Sequence, residues 1–122
     1  MRLRVLIVDD EPDLCEVFQS LFTNEQCTVE VHCQVQSALD SVAKSPPDLV
    51  ILDYRMPVMN GEQFAREIPA HIPVILITGD LSVRPAGRFV RVFSKPANLD
   101  EVKAFVLEQR WRSPSNASAE TP

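Results

Sequence analysis

Polar side chains able to handle a cation or a phosphoryl group follow four of the five short apolar runs in this sequence. They are Asp9 and Asp10 after the first run, Asp53 after the third, Thr78 after the fourth and Lys95 after the fifth. The carboxyl ends of parallel strands lie along one edge of a sheet, and ligands bind in the crevice there. We therefore expect these five residues to meet in space, although they are far apart in the chain.

The three aspartates in this set have the chemistry of a divalent cation site. Carboxylates that lie close together repel one another, so either a cation joins them or their pKa values rise. Mg²⁺ takes oxygen ligands, typically one or two carboxylates together with several waters. No Cys or His lies at a matching strand end, which argues against zinc. The residues therefore favour Mg²⁺ at this edge of the sheet.

Lys95 and Thr78 extend the predicted site toward a phosphoryl ligand. The lysine ammonium is a point charge suited to one phosphoryl oxygen, and the threonine hydroxyl can donate to another. Gly79 keeps the approach clear of a side chain. An aspartate beside Mg²⁺ can attack phosphorus and form an aspartyl phosphate, with catalysis coming mainly from positioning and electrostatics.

The apolar runs are short and mostly continuous, as in strands covered on both faces of a parallel sheet. They are Leu3–Val8, Thr28–His32, Leu49–Leu52, Val74–Ile77 and Phe89–Phe93. The second run alternates apolar and polar residues, which is typical of an edge strand. Because helical patterns separate most of the runs, we expect an α/β fold built from right-handed βαβ units.

Four helices are predicted from apolar residues at helical spacing. Their apolar faces are Leu14, Val17, Phe18, Leu21 and Phe22 for the first; Ala38, Leu39, Val42 and Ala43 for the second; Phe64, Ala65 and Ile68 for the third; and Leu99, Val102, Phe105 and Val106 for the last. Asn98 is expected to cap the last helix, which would run to about Trp111. The segment 80–88 contains Pro85 and Gly87, so any helix there is short or irregular.

The composition predicts one globular domain. The chain has 122 residues, of which 45% are hydrophobic and 24% charged. We expect residues 1–112 to form the domain and residues 113–122, which are small and polar, to form a disordered tail or linker. The net charge of −5 argues against binding of nucleic acid and of anionic lipid by this domain.

Cysteine usage and hydropathy predict a cytoplasmic protein. Three cysteines, an odd count without a CxxC motif, are typical of reduced thiols in the cytosol. The first 20 residues contain acidic residues and no small-residue cleavage site, so we expect no signal peptide. No apolar run approaches the roughly 20 residues that cross a bilayer.

Taken together, these motifs resemble the receiver domain of two-component response regulators. The resemblance rests on Ile7–Pro12, Leu52–Gly61, Ile77–Gly79 and Ser94–Pro96, in this order, and it spans residues 1 to about 111. It implies a flavodoxin-like α/β fold, a doubly wound parallel sheet of five strands in the order 2-1-3-4-5. In this chain the fourth helix of that fold, between the fourth and fifth strands, is expected to be shortened or irregular.

The resemblance also implies a role for each candidate site residue. Asp53 is similar to the phosphoacceptor, Thr78 to the switch hydroxyl and Lys95 to the lysine of the family's site. Asp10 and Asp53 would bind Mg²⁺ directly, with the main-chain carbonyl of Arg55 as a third ligand, and Asp9 would act mostly through water. The peptide between Lys95 and Pro96 is expected to be cis.

Two features depart from the family pattern. Val92 stands where receivers usually carry Tyr or Phe, three residues before the lysine, and strand alternation predicts that Phe93 points to the other face. The stretch from Thr78 to Lys95 is also shorter than we expect for the family.

The function implied is a phosphorylation-activated signalling switch that is not an enzyme apart from its own phosphoryl transfer and dephosphorylation. The partners implied are a sensor histidine kinase or a histidine phosphotransfer protein as the donor, and an output protein that the sequence does not identify. Two alternatives remain open. One is a docking module that works without phosphorylation, and the other is an Mg²⁺-dependent aspartyl-phosphate phosphatase. Such phosphatases usually carry a second aspartate where this chain has Arg55.

Overall fold

The computed structural model describes residues 3–22, 27–79, 89–95 and 98–108, without the side chains of residues 14, 21 and 22. Strands and helices alternate along most of this part of the chain. The strands are β1 (Leu3–Val8), β2 (Cys27–His32), β3 (Leu49–Asp53), β4 (Val74–Thr78) and β5 (Phe89–Ser94). The helices are α1 (Pro12–Phe22), α2 (Val35–Lys44), α3 (Gly61–Arg66) and α4 (Leu99–Glu108).

The five strands form one parallel sheet in the order β2-β1-β3-β4-β5. Register is regular through the centre of the sheet, where Val8 pairs with Leu52 and Asp53 with Ile77. The predicted fold and strand order are therefore confirmed. The order reverses direction at β1, so that β1 and β3 lie side by side with their carboxyl ends facing the crevice where ligands bind in such sheets.

Alternation along the strands divides the core into two layers. The even-numbered residues of β1, β3 and β4, such as Leu6 and Leu52, pack with α2 and α3 on one face. The odd-numbered residues, such as Ile7 and Ile75, pack with Phe18 of α1 and with α4 on the other. Every residue of β3 and β4 is buried. This two-sided burial explains why these strands have continuous apolar sequences.

Helix α1 buries Phe18 as predicted but departs from its predicted apolar face at Val17. Phe18 and Cys15 are buried, whereas Val17 is 47% exposed. Successive residues turn by about 100° around a helix, so Val17 lies about 100° from Phe18 while Cys15 lies only about 60° away on the other side. Val17 therefore lies at the margin of the apolar stripe, outside the part of the helix that is buried. The predicted side-chain positions of Leu14, Leu21 and Phe22 lie outside the described residues.

The second and third helices lie where their apolar residues predict them. Helix α2 ends two residues before Pro46, and helix α3 ends at Arg66, two residues before Ile68 of its predicted apolar face. The side chain of Asn98 accepts from the backbone N–H groups of Asp100 and Glu101, which confirms the predicted cap of α4.

Several predictions fall outside the described residues. They concern the irregular segment 80–88, the peptide between Lys95 and Pro96, the end of the last helix near Trp111, and the tail 113–122. Among the described residues, no helix is both long enough and apolar enough to cross a membrane.

Glu30 on the edge strand β2 makes a pH-dependent contact with two neighbouring side chains. Glu30 accepts hydrogen bonds from Ser41 of α2 and from His32, whose Nε2 lies 2.8 Å from Oε2 of Glu30. The hydrogen bond from Ser41, followed by that from His32, lowers the pKa of Glu30 below its ordinary value of 4.5. Ionised Glu30 therefore stabilises the fold above about pH 4.5, and this contribution is lost as the pH falls through the lowered pKa.

We expect Glu30→Gln to lower the free energy of unfolding at neutral pH by less than about 1 kcal/mol, because the side chain is half exposed and solvent screens its contacts. The difference from the wild type should disappear at an acidic pH below the lowered pKa of Glu30, where its carboxyl group is protonated. Urea unfolding at both pH values tests this expectation, with the exposed Glu16→Gln as the control. A deficit in Glu30→Gln that is the same at both pH values would show that the charge has no part in it.

Candidate functional site

The carboxyl edge of the sheet brings together the polar residues that follow its strands. Asp9 and Asp10 come directly after β1, Asp53 ends β3, Thr78 ends β4, and Lys95 follows β5. The backbone N–H of Lys95 donates to the carbonyl of Thr78 at 2.8 Å, which aligns the ends of β4 and β5. The structure therefore brings these residues together at one edge of the sheet, as the sequence predicts.

The three aspartates form a compact acidic cluster. Each of Asp9, Asp10 and Asp53 offers a carboxylate oxygen that lies within 4.8 Å of the other two. Asp9 and Asp53 are 2% and 6% exposed, whereas Asp10 is exposed to solvent. Burial is the largest factor that raises the pKa of Asp53, to about 6, and it also raises the pKa of Asp9. The negative charge on these two carboxylates at neutral pH therefore lowers the free energy of unfolding.

Lys95 supplies a positive charge to this cluster. Its Nζ lies 2.9 Å from Oδ1 of Asp53 and 3.7 Å from Oδ2 of Asp9. Burial opposes the ammonium charge, but the hydrogen bond to Asp53 and the attraction of the nearby carboxylates outweigh it and raise the pKa of Lys95. The lysine therefore stays charged and offsets part of the repulsion among the carboxylates.

Glu11 is a fourth carboxylate at the site and is not among the residues predicted for it. Its Oε1 lies 3.5 Å from Nζ of Lys95, and its backbone N–H donates to Oδ1 of Asp9 at 2.9 Å. The signal available in the sequence was its position next to Asp9 and Asp10. A residue at the start of a helix after a strand usually faces solvent, so the contact with Lys95 follows only from the three-dimensional arrangement.

An open cleft of about 620 Å³ lies above the cluster. Its lining consists of Asp10, Glu11, Asp53, Arg55, Thr78, Gly79 and Lys95. Thr78 is 5% exposed, and Arg55 is exposed at the mouth. The cleft therefore holds acidic, hydroxyl and basic groups around one opening, which suits a small anion bound together with a cation.

The donor set at this cleft fits Mg²⁺. Only oxygen ligands come together, they are carboxylates, and one of them is exposed enough to leave room for water on the ion. A divalent cation would also offset the burial and the repulsion from Asp9 that raise the pKa of Asp53. No Cys or His belongs to the described group of potential ligands, so the chemistry does not favour a softer metal.

The loop from β3 to α3 passes beside Asp53 and is held at both ends. Asn60 and Gln63 form a capping box, in which each side chain accepts from the backbone N–H of the other residue. The N–H of Gly61 donates to the carbonyl of Tyr54 at 2.7 Å. Between these points, Val58 has a φ of 79°, in the left-handed region that β-branched residues rarely adopt. The hydrogen bond from Gly61 to Tyr54 thus joins the start of α3 to the end of β3, next to the acidic cluster.

Gly61 is required by the close approach of α3 to the end of β3. A Cβ at this position would lie 2.7 Å from Cδ1 of Leu76, 3.2 Å from Cα of Tyr54 and 3.3 Å from the carbonyl oxygen of Asp53. We expect Gly61→Ala to lower the free energy of unfolding by about 1 to 2 kcal/mol, because a buried backbone must shift. Thermal or urea unfolding measures this loss.

Gly79→Ala is the matched control for this prediction. A Cβ there would meet only Cβ of Lys95, at an ordinary contact distance of 3.5 Å. The control should therefore change stability by less than about 0.5 kcal/mol. Equal losses in the two variants would contradict the steric argument for Gly61.

Strand β5 shows the predicted alternation of Val92 and Phe93. Val92 is 39% exposed, whereas Phe93 is buried and its ring meets that of Phe105 edge to face at 6.0 Å. The guanidinium of Arg91 lies over both rings, 4.6 Å and 5.0 Å from their centroids. Phe93 is therefore part of the packing against α4, and an exposed valine occupies the position three residues before Lys95.

Comparison with known sequences gives one family for nearly the whole chain. The sequence model of the response regulator receiver domain matches residues 5–106. This range contains all the residues of the acidic cluster as well as Thr78 and Lys95.

Curated relatives match the chain over a part of their own length. The DNA-binding response regulator MtrA of Mycolicibacterium smegmatis is 36% identical over 80 residues, which cover 64% of this chain and 35% of that protein. The regulatory protein AtoC of Escherichia coli K12 is 34% identical over 113 residues, which cover 84% of this chain and 24% of that protein. The chain thus spans about a quarter to a third of the length of these relatives.

Solved structures show the same fold. The response regulator protein TrrA of Thermotoga maritima, solved in complex with Mg²⁺ and BeF, has a TM-score of 0.77 and 30% sequence identity. The match covers 88% of this chain and 98% of that one.

Proposed function

This chain belongs to the response regulator receiver domain family, and we propose that it is a signalling switch controlled by phosphorylation of Asp53. Receiver domains serve generally as phosphorylation switches of two-component signalling. The observation that carries the assignment to Asp53 is the contact of 2.9 Å between its Oδ1 and Nζ of Lys95, inside a cluster of three carboxylates.

In the proposed reaction a carboxylate oxygen of Asp53 attacks phosphorus. An O–P bond forms as the bond from phosphorus to the donor breaks, and the donor atom leaves with the electron pair and takes a proton from solvent. Lys95 stays protonated and binds a phosphoryl oxygen, while the hydroxyl of Thr78 donates to another. The chain's contribution is to hold these groups at one strand edge before the donor arrives, so transfer depends on positioning and electrostatics.

The residues that would hold Mg²⁺ are Asp10 and Asp53 with the main-chain carbonyl of Arg55, and Asp9 through water. When bound, the ion neutralises charge on the transferring phosphoryl group. The acidic cluster and the lining of the cleft by Arg55 support this assignment. Asp9, which is held by the N–H of Glu11, positions the end of β1 for Asp10.

We propose that the domain spans residues 1–112, that residues 113–122 act as a tail or linker, and that the chain works in the cytoplasm. The phosphoryl donor would be a sensor histidine kinase or a histidine phosphotransfer protein, and the output would pass through contact with another protein. Val92, which is 39% exposed on β5, offers an apolar contact for such a partner. The cysteines among the described residues are free thiols, as is usual in the cytosol.

Phosphorylation-independent docking is the second candidate function, and Val92 is the observation that favours it. A valine has no ring that could turn inward when Thr78 moves, so a switch in this chain must use other residues. The complete set of Asp10, Asp53 and Lys95 favours phosphorylation instead. A phosphatase acting on aspartyl phosphates receives less support, because Arg55 at the mouth of the cleft cannot serve as a carboxylic acid–base.

Phosphorylation by a small acyl phosphate tests the proposal directly. We expect wild-type protein incubated with Mg²⁺ and acetyl phosphate to gain the mass of one phosphoryl group, in an adduct that is labile to base. Asp53→Asn should gain none, and the exposed Asp40→Asn of α2 should behave as the wild type.

An adduct of equal yield on Asp53→Asn would exclude Asp53 as the acceptor. No adduct on the wild type, with or without a purified histidine phosphotransfer protein, would leave the docking module as the function.

A further inference from the structure

Two cysteines lie in contact immediately behind the acidic cluster. The Sγ atoms of Cys15, on α1, and Cys33, just after β2, are 3.2 Å apart, and the thiol of Cys33 donates to the sulfur of Cys15. Both are free thiols. The thiol of Cys15 in turn donates to the carbonyl oxygen of Asp9 at 3.1 Å. Thus a pair of thiols connects α1 with the loop that precedes α2, next to the end of β1.

We propose that Cys15 and Cys33 form an oxidation site that closes an intramolecular disulfide in response to hydrogen peroxide. A disulfide needs its sulfurs about 2 Å apart, so the two atoms have to approach by only about 1 Å. The phosphorylation of Asp53 does not use either cysteine, so this site stands apart from the proposed function.

The accessibility of the two thiols fixes the order of the chemistry. Cys33 is exposed, whereas Cys15 is 5% exposed and is covered by the contact with Cys33. Peroxide therefore reaches Cys33 first. Cleavage of the O–O bond converts the Cys33 thiol to a sulfenic acid and releases one water. The sulfur of Cys15 then attacks the sulfur of that sulfenic acid, and an S–S bond forms as a second water leaves. The two thiols lose two electrons, which reduce one peroxide to water.

The third cysteine provides an internal reference. Cys27 lies on β2 with no exposed surface and packs in the core with Val5 and Phe18. Peroxide cannot reach it in the folded protein, so it should remain a thiol while the other two are oxidised. The chain therefore contains the reactive pair and an unreactive control together.

Counting thiols after oxidation tests the proposal. The full chain, freed of reductant, is treated with a small molar excess of hydrogen peroxide, then denatured and alkylated with iodoacetamide, and its intact mass is measured. Protein that has not been oxidised should take three labels, one for each cysteine in the sequence. Oxidised monomer should take one, which peptide mapping places on Cys27. Treatment with dithiothreitol after the peroxide should restore all three labels.

Substitution of either member of the pair should separate the two steps. Cys33→Ser changes an exposed side chain and should keep two labels after peroxide, on Cys15 and Cys27. Cys15→Ser retains a donor for the Asp9 carbonyl and should stop at the sulfenic acid, which dimedone traps on Cys33. Three labels on peroxide-treated wild type, a disulfide that includes Cys27, or disulfide-linked dimers through Cys33 would each overturn the proposal.

Discussion

Replacing Lys95 by methionine should lower the free energy of unfolding by about 2 to 3 kcal/mol at neutral pH without Mg²⁺. The ammonium lies 2.9 Å from Asp53, 3.7 Å from Asp9 and 3.5 Å from Glu11, so its removal leaves neighbouring carboxylates without a positive charge. Methionine has a similar length and keeps the packing of the aliphatic stem, so the loss should come from the charge. Urea unfolding in the presence of a chelator measures it.

A matched lysine on the surface separates this effect from a general loss of charge. Lys44→Met, in the exposed last turn of α2, should stay within about 0.5 kcal/mol of the wild type. If Lys95→Met were as stable as Lys44→Met, the contacts of Lys95 with the carboxylates would contribute nothing to the fold.

Replacing Asp53 by asparagine should have the opposite effect and raise the free energy of unfolding by about 1 to 3 kcal/mol without Mg²⁺. Burial and the nearby Asp9 raise the pKa of Asp53 to about 6, which more than offsets its hydrogen bond with Lys95. A carboxylate whose pKa is raised by folding destabilises the folded state above its ordinary pKa, and stability falls as the pH rises through the raised value. The gain from Asp53→Asn should therefore be largest near about pH 8 and vanish near about pH 4.

Without Mg²⁺ we expect Asp53→Asn to be more stable than the wild type, and addition of Mg²⁺ should make the wild type the more stable of the two. At a Mg²⁺ concentration about 100 times the dissociation constant, the bound ion stabilises the wild type by roughly 2.7 kcal/mol, and Asp53→Asn should gain much less.

The double variant tests the role of Lys95. In the Lys95→Met background, Asp53→Asn should stabilise the fold more than it does in the wild type, because Lys95 no longer offsets the repulsion between Asp53 and Asp9. Destabilisation by Asp53→Asn in both backgrounds would contradict the electrostatic account of the site.

The sequence was sufficient to predict the sheet and the edge where the site lies. In a parallel sheet covered on both sides, apolar runs such as those of β3 and β4 mark the strands, and their ends must lie at one edge. Asp53 and Thr78 could therefore be assigned to a common site from the sequence alone. The resemblance to receivers then supplied the strand order, which the structure confirms.

Features that depend on the exact position of a helix or a side chain could not be predicted in the same way. The exposure of Val17 depends on how α1 is rotated against the sheet, and the contact of Glu11 with Lys95 depends on two separate loops. The contact of Cys15 with Cys33 likewise joins a helix to a loop 18 residues further along the chain. Sequence spacing contains no information about such distances.

Fluorine NMR with beryllofluoride tests most directly whether Asp53 and its surroundings form a phosphoryl-accepting site. Beryllofluoride mimics the phosphoryl group, and it must occupy the same carboxylate, lysine and hydroxyl contacts. We expect wild-type protein with Mg²⁺ to give a protein-bound fluoride signal at one equivalent, which is lost in Asp53→Asn or when the ion is chelated. A bound signal of equal intensity in Asp53→Asn, or none in the wild type, would contradict the account.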